Sequence, residues 1–187
     1  MVSQVDVVNM ALAEIGAASI SDIDEEAEQA VKAKLYYDPV RDSLLRAYPW
    51  TFALKQWSCA PVNNAEAFKN FKYSFLKPVD CLRFLRSADH SECECAGKYI
   101  RANVDILNII GISRIEDENL FDPIFVEVFV LKLAQKLSIV LSNDKGIRDR
   151  LSADYNNLIK TAQVKSALEG PDQEYEYIST WLNARII

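Results

Sequence analysis

Histidine is nearly absent from this chain of 187 residues: His90 is the only one. A cysteine nucleophile needs a neighbouring base to raise its thiolate fraction, and His90 falls in a polar stretch that reads as an exposed loop, which argues against a Cys/His enzyme. Glycine is scarce too, at five residues. No P-loop, dinucleotide fingerprint or nucleophile elbow is present, and a phosphate-cradling loop is hard to build from so few glycines. Dense Lys/Arg runs are missing: 21 basic residues face 27 acidic ones, for a net charge of −6. That balance argues against tight wrapping of nucleic-acid phosphates, which calls for a basic stripe, though it does not exclude DNA nearby. Long apolar runs are missing as well. Pro123 to Leu141 comes nearest, but Glu127, Lys132, Gln135 and Lys136 interrupt it, so it predicts a buried helix and no membrane span. The first residues show no basic stretch followed by an apolar one, so no signal peptide is expected. Four cysteines in that context predict free thiols in a reducing compartment. There are no internal repeats and no low-complexity tract.

Half the residues are hydrophobic and 10% aromatic, enough for a real core in one domain or one domain with an insertion. Ser3 and Asp6 form a capping-box pattern ahead of Val8, Ala11, Leu12 and Ile15 at helical spacing, and Gly16 is placed to end that helix. Ser21 to Asp24 reads as a cap-rich loop before a second helix whose stripe is Ala27, Val31, Leu35, Val40, Leu44 and Leu45, kinked at Pro39. Pro49 biases Tyr48 away from helix, and Trp50, Phe52 and Leu54 then alternate as a half-buried strand would. Further alternation marks Phe71, Tyr73 and Phe75, then Leu82 and Phe84. Tyr99 to Arg101 and Val104 to Ile112 read as two strands joined by a tight turn near Ala102-Asn103. Asp122-Pro123 is a strong helix start, and Ser142-Asn143-Asp144 caps another helix with a stripe of Ile147, Leu151, Tyr155, Leu158 and Ala162, stopped at Gly170-Pro171. The expected fold is α+β, predominantly α. It comprises an antiparallel helical bundle (1–48 and 120–170), one inserted small antiparallel β subdomain (49–119) and a C-terminal segment (171–187).

Three clusters could carry chemistry. His90, Cys93 and Cys95, with Cys59 or Cys81, could bind a metal, but a zinc site wants four converging ligands in paired spacing, and a CxC with one loose histidine falls short. The plainer reading is a polar hairpin loop with incidental thiols. Asp22, Asp24, Glu25, Glu26 and Glu28 suit a solvated helix N-terminus, where carboxylates complement the macrodipole. If they lined a channel they would repel DNA and keep it mobile. Asp38 with Arg41, and Asp42 with Arg46, have the spacing of helical ion pairs, while Asp80 and Arg83 sit at a strand start. The last segment carries Trp181, Leu182, Arg185, Ile186 and Ile187. It reads equally as a final helix folded onto the bundle or as a docking segment anchored by the tryptophan. No catalytic residue, cofactor or metal is assigned.

Several stretches, taken in order, resemble the tail tubular protein A family, the head-to-tail adaptors of short-tailed bacteriophages. They are Ala11-Leu12-Ala13-Glu14-Ile15-Gly16 with Ile20-Ser21; Glu25 to Ala30; Tyr37-Asp38-Pro39-Val40-Arg41-Asp42; and Leu45 to Ala53, where the family commonly has histidine at the place of Tyr48. Tyr73, Leu76, Pro78 and Asp80 to Arg83 follow, then Phe121-Asp122-Pro123 with Phe125, and finally Trp181 to Arg185. Asp89 to Cys95 matches no pattern of the family. The resemblance implies a structural virion protein of the head–tail interface, assembled in the host cytoplasm. It implies a homo-oligomeric ring of twelve copies between the portal protein and the tail nozzle protein. Genomic DNA would pass through the lumen without sequence-specific binding, and the C-terminal candidates Trp181, Leu182, Arg185, Ile186 and Ile187 would dock on the portal. The alternatives are a small metal-dependent hydrolase using His90, Cys93 and Cys95, or a helical regulator that binds another protein.

Overall fold

A computed structural model of the chain describes residues 2–62, 70–142 and 144–169. Four helices enclose the main core: α1 (Gln4–Glu14), α2 (Glu28–Ala47), α3 (Pro123–Leu141) and α4 (Lys145–Glu169). Among the described residues between α2 and α3 run six strands, β1 (Leu54–Cys59), β2 (Tyr73–Leu76), β3 (Cys81–Ser87), β4 (Cys93–Ala96), β5 (Tyr99–Ala102) and β6 (Leu107–Ser113). The local start signals behave as their chemistry dictates. Ser3 and Asp6 close a reciprocal capping box on α1, and Gly16 leaves the helix at φ 69°, a conformation that side chains with a Cβ resist. Asp122 accepts from the Ile124 amide at 2.8 Å, and Pro123 occupies the first turn of α3, where its missing N–H costs nothing.

α3 is the centre of the bundle, with α1, α2 and α4 packed around it. Phe125, Val128, Phe129, Leu133, Ala134 and Leu137 are fully buried along it. On α4 the expected stripe faces this core: Leu151 and Ala162 are buried, with Ile147, Tyr155 and Leu158 packed alongside.

The expectation of a predominantly helical bundle with one small sheet is wrong. The chain is α+β with two three-stranded antiparallel sheets, ordered β1-β6-β3 and β2-β5-β4. The error came from pairing neighbours in sequence. β5 and β6 do not form a hairpin: β5 pairs with β2 and β4, whereas β6 lies between β1 and β3, so the turn after Ala102 carries the chain from one sheet to the other. Alternation reports that a segment is extended, but not which sheet it joins. The segment His90 to Cys95, expected as a loop, enters β4, which forms a hairpin with β5.

The first sheet is a shared wall, and this explains why the β part is more than an appendage. Ile112 of β6 is buried in the helical core, with Leu54, Leu82 and Leu85 packed against the same cluster. Leu107 and Ile109 point the other way, into a second core with Cys59, Phe75, Ile100 and Ala102. A strand buried on both faces loses the simple inside–outside alternation. The layers are therefore bundle, first sheet and second sheet.

Two further expectations change in register. Trp50 and Phe52 are not in a strand, because Thr51–Ala53 forms a 3₁₀ turn and β1 begins at Leu54. The aromatics at 50 and 52 alternate because both reach into the helical core from that turn. On α2 the buried face is Ala30, Ala33, Tyr37, Val40, Arg41, Leu44 and Leu45, while Val31 and Leu35 are 54% and 64% exposed. The helix presents its alanines and Tyr37 inward because Tyr37 packs on Phe129 at 4.9 Å and donates to Glu118 at 2.9 Å. Pro39 lies within α2 without ending it.

Candidate interaction surfaces

The junction between bundle and sheets is held by hydrogen bonds and aromatic contacts from several elements. The α2 helix ends at Ala47 and Tyr48 is extended, so the last-turn carbonyls need partners from outside the helix. The buried indole of Trp50 donates to the Leu44 carbonyl at 2.9 Å, and Arg83 donates to the Arg46 carbonyl at 3.4 Å. Arg46 in turn donates to the Leu82 carbonyl of β3, and so does not pair with Asp42 as the spacing predicted. Asp42 instead accepts from Arg114 at 2.8 Å and from Arg41 at 3.1 Å, while Arg41 also pairs with Asp38. Trp50 meets Phe125 edge-on at 5.1 Å, Phe52 meets Phe125 at 5.1 Å, and Phe52 meets Phe121 at 6.1 Å. Across the same junction, Tyr48 donates to the Gln163 carbonyl at 2.8 Å and Thr51 to the Ser166 carbonyl at 2.8 Å, tying α4 to the turn. These contacts restrict the angle between helices and sheets.

Asp80 organises the start of β3 from across the sheet. It accepts from Lys55 at 2.7 Å and from the Trp57 indole at 3.1 Å, and its backbone carbonyl accepts from the Arg114 amide. The Lys55 ammonium chiefly holds its carboxyl below the usual range, with partial burial opposing and the indole assisting.

The cysteine-bearing segment does not assemble a metal centre in the described residues, where no group of three or more His, Cys, Asp or Glu side chains converges. His90 turns the chain with a φ of 54° just before β4. Cys93 packs toward the second core and Cys95 is exposed on the same strand. Burial pushes the thiols of Cys59, Cys81 and Cys93 up, the opposite of what a nucleophile requires.

The acidic run is displaced from the place the sequence suggested. α2 begins at Glu28 after Ala27, with no side-chain cap, so Asp22 to Glu26 form a loop beside the helix. There Asp24 accepts from Lys34 at 2.5 Å, and Glu25 accepts from the Ser21 amide at 3.2 Å. Together with α2 the loop borders an open groove of about 450 Å³, lined by the apolar Ile23, Val31 and Leu35 and by Asp24, Glu25, Glu26, Lys32 and Lys34.

Several large apolar side chains stand in solvent in patterned positions. Val31 and Leu35 are one turn apart on α2, and Val164 and Leu168 one turn apart on α4, at 60% and 80% exposure. Val79 and Ile106 are exposed on the β part. No sequence signal separated these from core positions: the Val31 and Leu35 spacing fits a buried stripe equally well. The candidates Trp181, Leu182, Arg185, Ile186 and Ile187 lie outside the described residues, as does the stop at Gly170-Pro171. No helix among the described residues is long and apolar enough to cross a membrane. Compared with protein-family models and with curated proteins, the sequence finds no match in either set.

Proposed function

We propose that this protein is a bacteriophage head-to-tail adaptor, a structural virion component that works through interfaces and performs no catalysis. In this reading, twelve copies form a ring between the portal protein and the tail nozzle protein. Genomic DNA passes through the lumen, and residues 181–187 dock on the portal. One observation carries the reading. The stretches that resemble the adaptor family are distant in sequence, yet they meet at one junction. Trp50 and Phe52 of one stretch pack on Phe121 and Phe125 of another, and Arg46 bonds the carbonyl of Leu82 in a third. Residues of these three stretches thus build the join between bundle and sheets. The patterned apolar side chains in solvent add support, since they suit a protein that is buried further on assembly.

The test is assembly. The purified chain, mixed with portal rings from the same phage, should add a ring-shaped layer to one end of the portal in negative-stain images. Removing residues 171–187 should abolish that layer while the truncated chain still unfolds cooperatively in urea. Portals that stay bare with the intact chain would sink the adaptor reading. Normal decoration by the truncated chain would sink only the docking role of Trp181 to Ile187.

A further inference from the structure

We infer that Glu174 to Thr180 of this chain add as a further strand to the outer edge of β1, covering the open side of the first sheet. The inference concerns the chain by itself and goes beyond the adaptor reading without using it.

β1 is a margin of its sheet: it pairs with β6 on one side, and among the described residues no strand pairs with it on the other. An unpaired edge presents a row of backbone donors and acceptors that another strand can satisfy, and proteins shield such rows with charge, proline, bulges or a covering segment. β1 has little shielding of its own. It contains no proline, its register against β6 is unbroken over 6 residues, and Lys55 is its single charged side chain. The other three edges are less suited. Along β2, Pro61 bridges to Phe75 and the Val62 amide donates to the Ser74 carbonyl. On β3 the Leu82 carbonyl is taken by Arg46, and the register against β6 is interrupted twice. β4 is only 4 residues long and exposes Glu94.

The occupant follows from where the chain leaves α4 and from what it carries. Residues 170–187 lie outside the described residues, but their starting point is placed. In the final turn of α4, the Ser166 hydroxyl accepts from the Thr51 amide at 3.2 Å and the Ser166 carbonyl accepts from the Thr51 hydroxyl at 2.8 Å. Thr51 opens the 3₁₀ turn that runs directly into β1 at Leu54. From Glu169 to Glu174 an extended chain reaches about 17 Å, whereas the 3₁₀ turn rises only about 2 Å per residue, so Glu174 can stand at the start of β1. Glu174-Tyr175-Glu176-Tyr177-Ile178-Ser179-Thr180 alternates carboxylates with tyrosines and is rich in residues that favour strands. It holds neither glycine nor proline; Gly170 and Pro171 both precede it. Charge also favours β1 over β4. Across the whole of 170–187 the charged side chains are Asp172, Glu174 and Glu176 against Arg185. A carboxylate beside Lys55 is attracted even though Lys55 already holds Asp80 at 2.7 Å, and one beside Glu94 is repelled. Entry beside Leu54 makes the added strand parallel to β1 and leaves Trp181 to Ile187 beyond it.

Amide hydrogen exchange of the full chain, resolved by residue with NMR, tests the contact. Amides of 174–180 should exchange at least roughly tenfold more slowly than those of a synthetic peptide of residues 170–187. The pair Glu176→Pro/Tyr177→Pro removes the inward amide whichever of the two it is. It should speed exchange at least roughly tenfold both in 174–180 and at the outward amides of Leu54 to Cys59, while α3 amides keep their rates. Protection should also survive hundredfold dilution, because the segment is tethered to its own edge. Exchange of 174–180 at the rate of the free peptide would overturn the inference. So would a proline pair that frees the segment yet leaves Leu54 to Cys59 unchanged, which would put the segment on another surface. Protection that disappears on dilution would overturn it as well, by assigning the edge to the segment of a second copy.

Discussion

Replacing Trp50 with phenylalanine should cost this protein far more than a loss of ring size suggests. The indole is 1% exposed and its N–H is the partner of the Leu44 carbonyl in the last turn of α2. Phenylalanine keeps an aromatic ring for Phe125 and Tyr48 but leaves that carbonyl without its donor, at a depth where water cannot substitute. An unsatisfied buried polar group costs about 1–3 kcal/mol. The smaller ring gives up one or two methylene equivalents of burial, at about 0.8 kcal/mol each. The sum is about 2–5 kcal/mol, a large share of the roughly 5–15 kcal/mol that holds a domain folded. For a chain of this length it should lower Tm by roughly 4–20 °C, at about 2–4 °C per kcal/mol. Urea denaturation followed by far-ultraviolet circular dichroism reads the loss without depending on tryptophan fluorescence. Trp57→Phe is the control, since that indole bonds the partly exposed Asp80. A Trp50→Phe loss under about 0.5 kcal/mol, or one no larger than the control, would refute the idea that this hydrogen bond closes α2.

Other consequences can be checked with the same purified chain. A Cβ added at Gly111 would sit 2.5 Å from the Arg83 carbonyl and 3.3 Å from the Trp57 ring, so Gly111→Ala should push β3 off β6 and destabilise by about 1–3 kcal/mol; an unaffected urea midpoint would contradict the close approach. Asp80 has a folded pKa below its unfolded value, so its contribution is complete above about pH 4 and fades as pH falls through the lower folded value. Asp80→Asn should therefore flatten that acid limb. The effect should stay under about 1 kcal/mol because the side chain is 39% exposed, and an unchanged slope in acid-denaturation curves would contradict it. Thiol titration of native protein with a chromogenic disulfide should modify Cys95 quickly and Cys59, Cys81 and Cys93 slowly, since burial raises the last three; four equal rates would contradict their placement. Tyr37→Phe removes the bond to Glu118 and should cost about 1 kcal/mol in urea, with no loss arguing that the phenol merely fills space.

The sequence by itself determined what local chemistry can determine. The capping box at Ser3 and Asp6, the Asp122-Pro123 start, the Asp144 start of α4 and the extended character of Tyr73–Leu76 and Cys81–Ser87 all depend on residues a few positions apart. Tertiary structure alone decided how those pieces combine. Whether β5 joins β6 or β2 depends on which side chains fill the second core, and alternation carries no such information. Whether Val31 and Leu35 or Ala30 and Ala33 face inward depends on Tyr37 reaching Phe129 and Glu118, residues more than eighty positions away. The Trp50 turn imitated a strand because a 3₁₀ turn at a junction can send successive aromatics into one core. Helix and strand are written in short-range spacing; the face a helix buries, the sheet a strand joins and the apolar side chains left for a partner are set by contacts between distant residues.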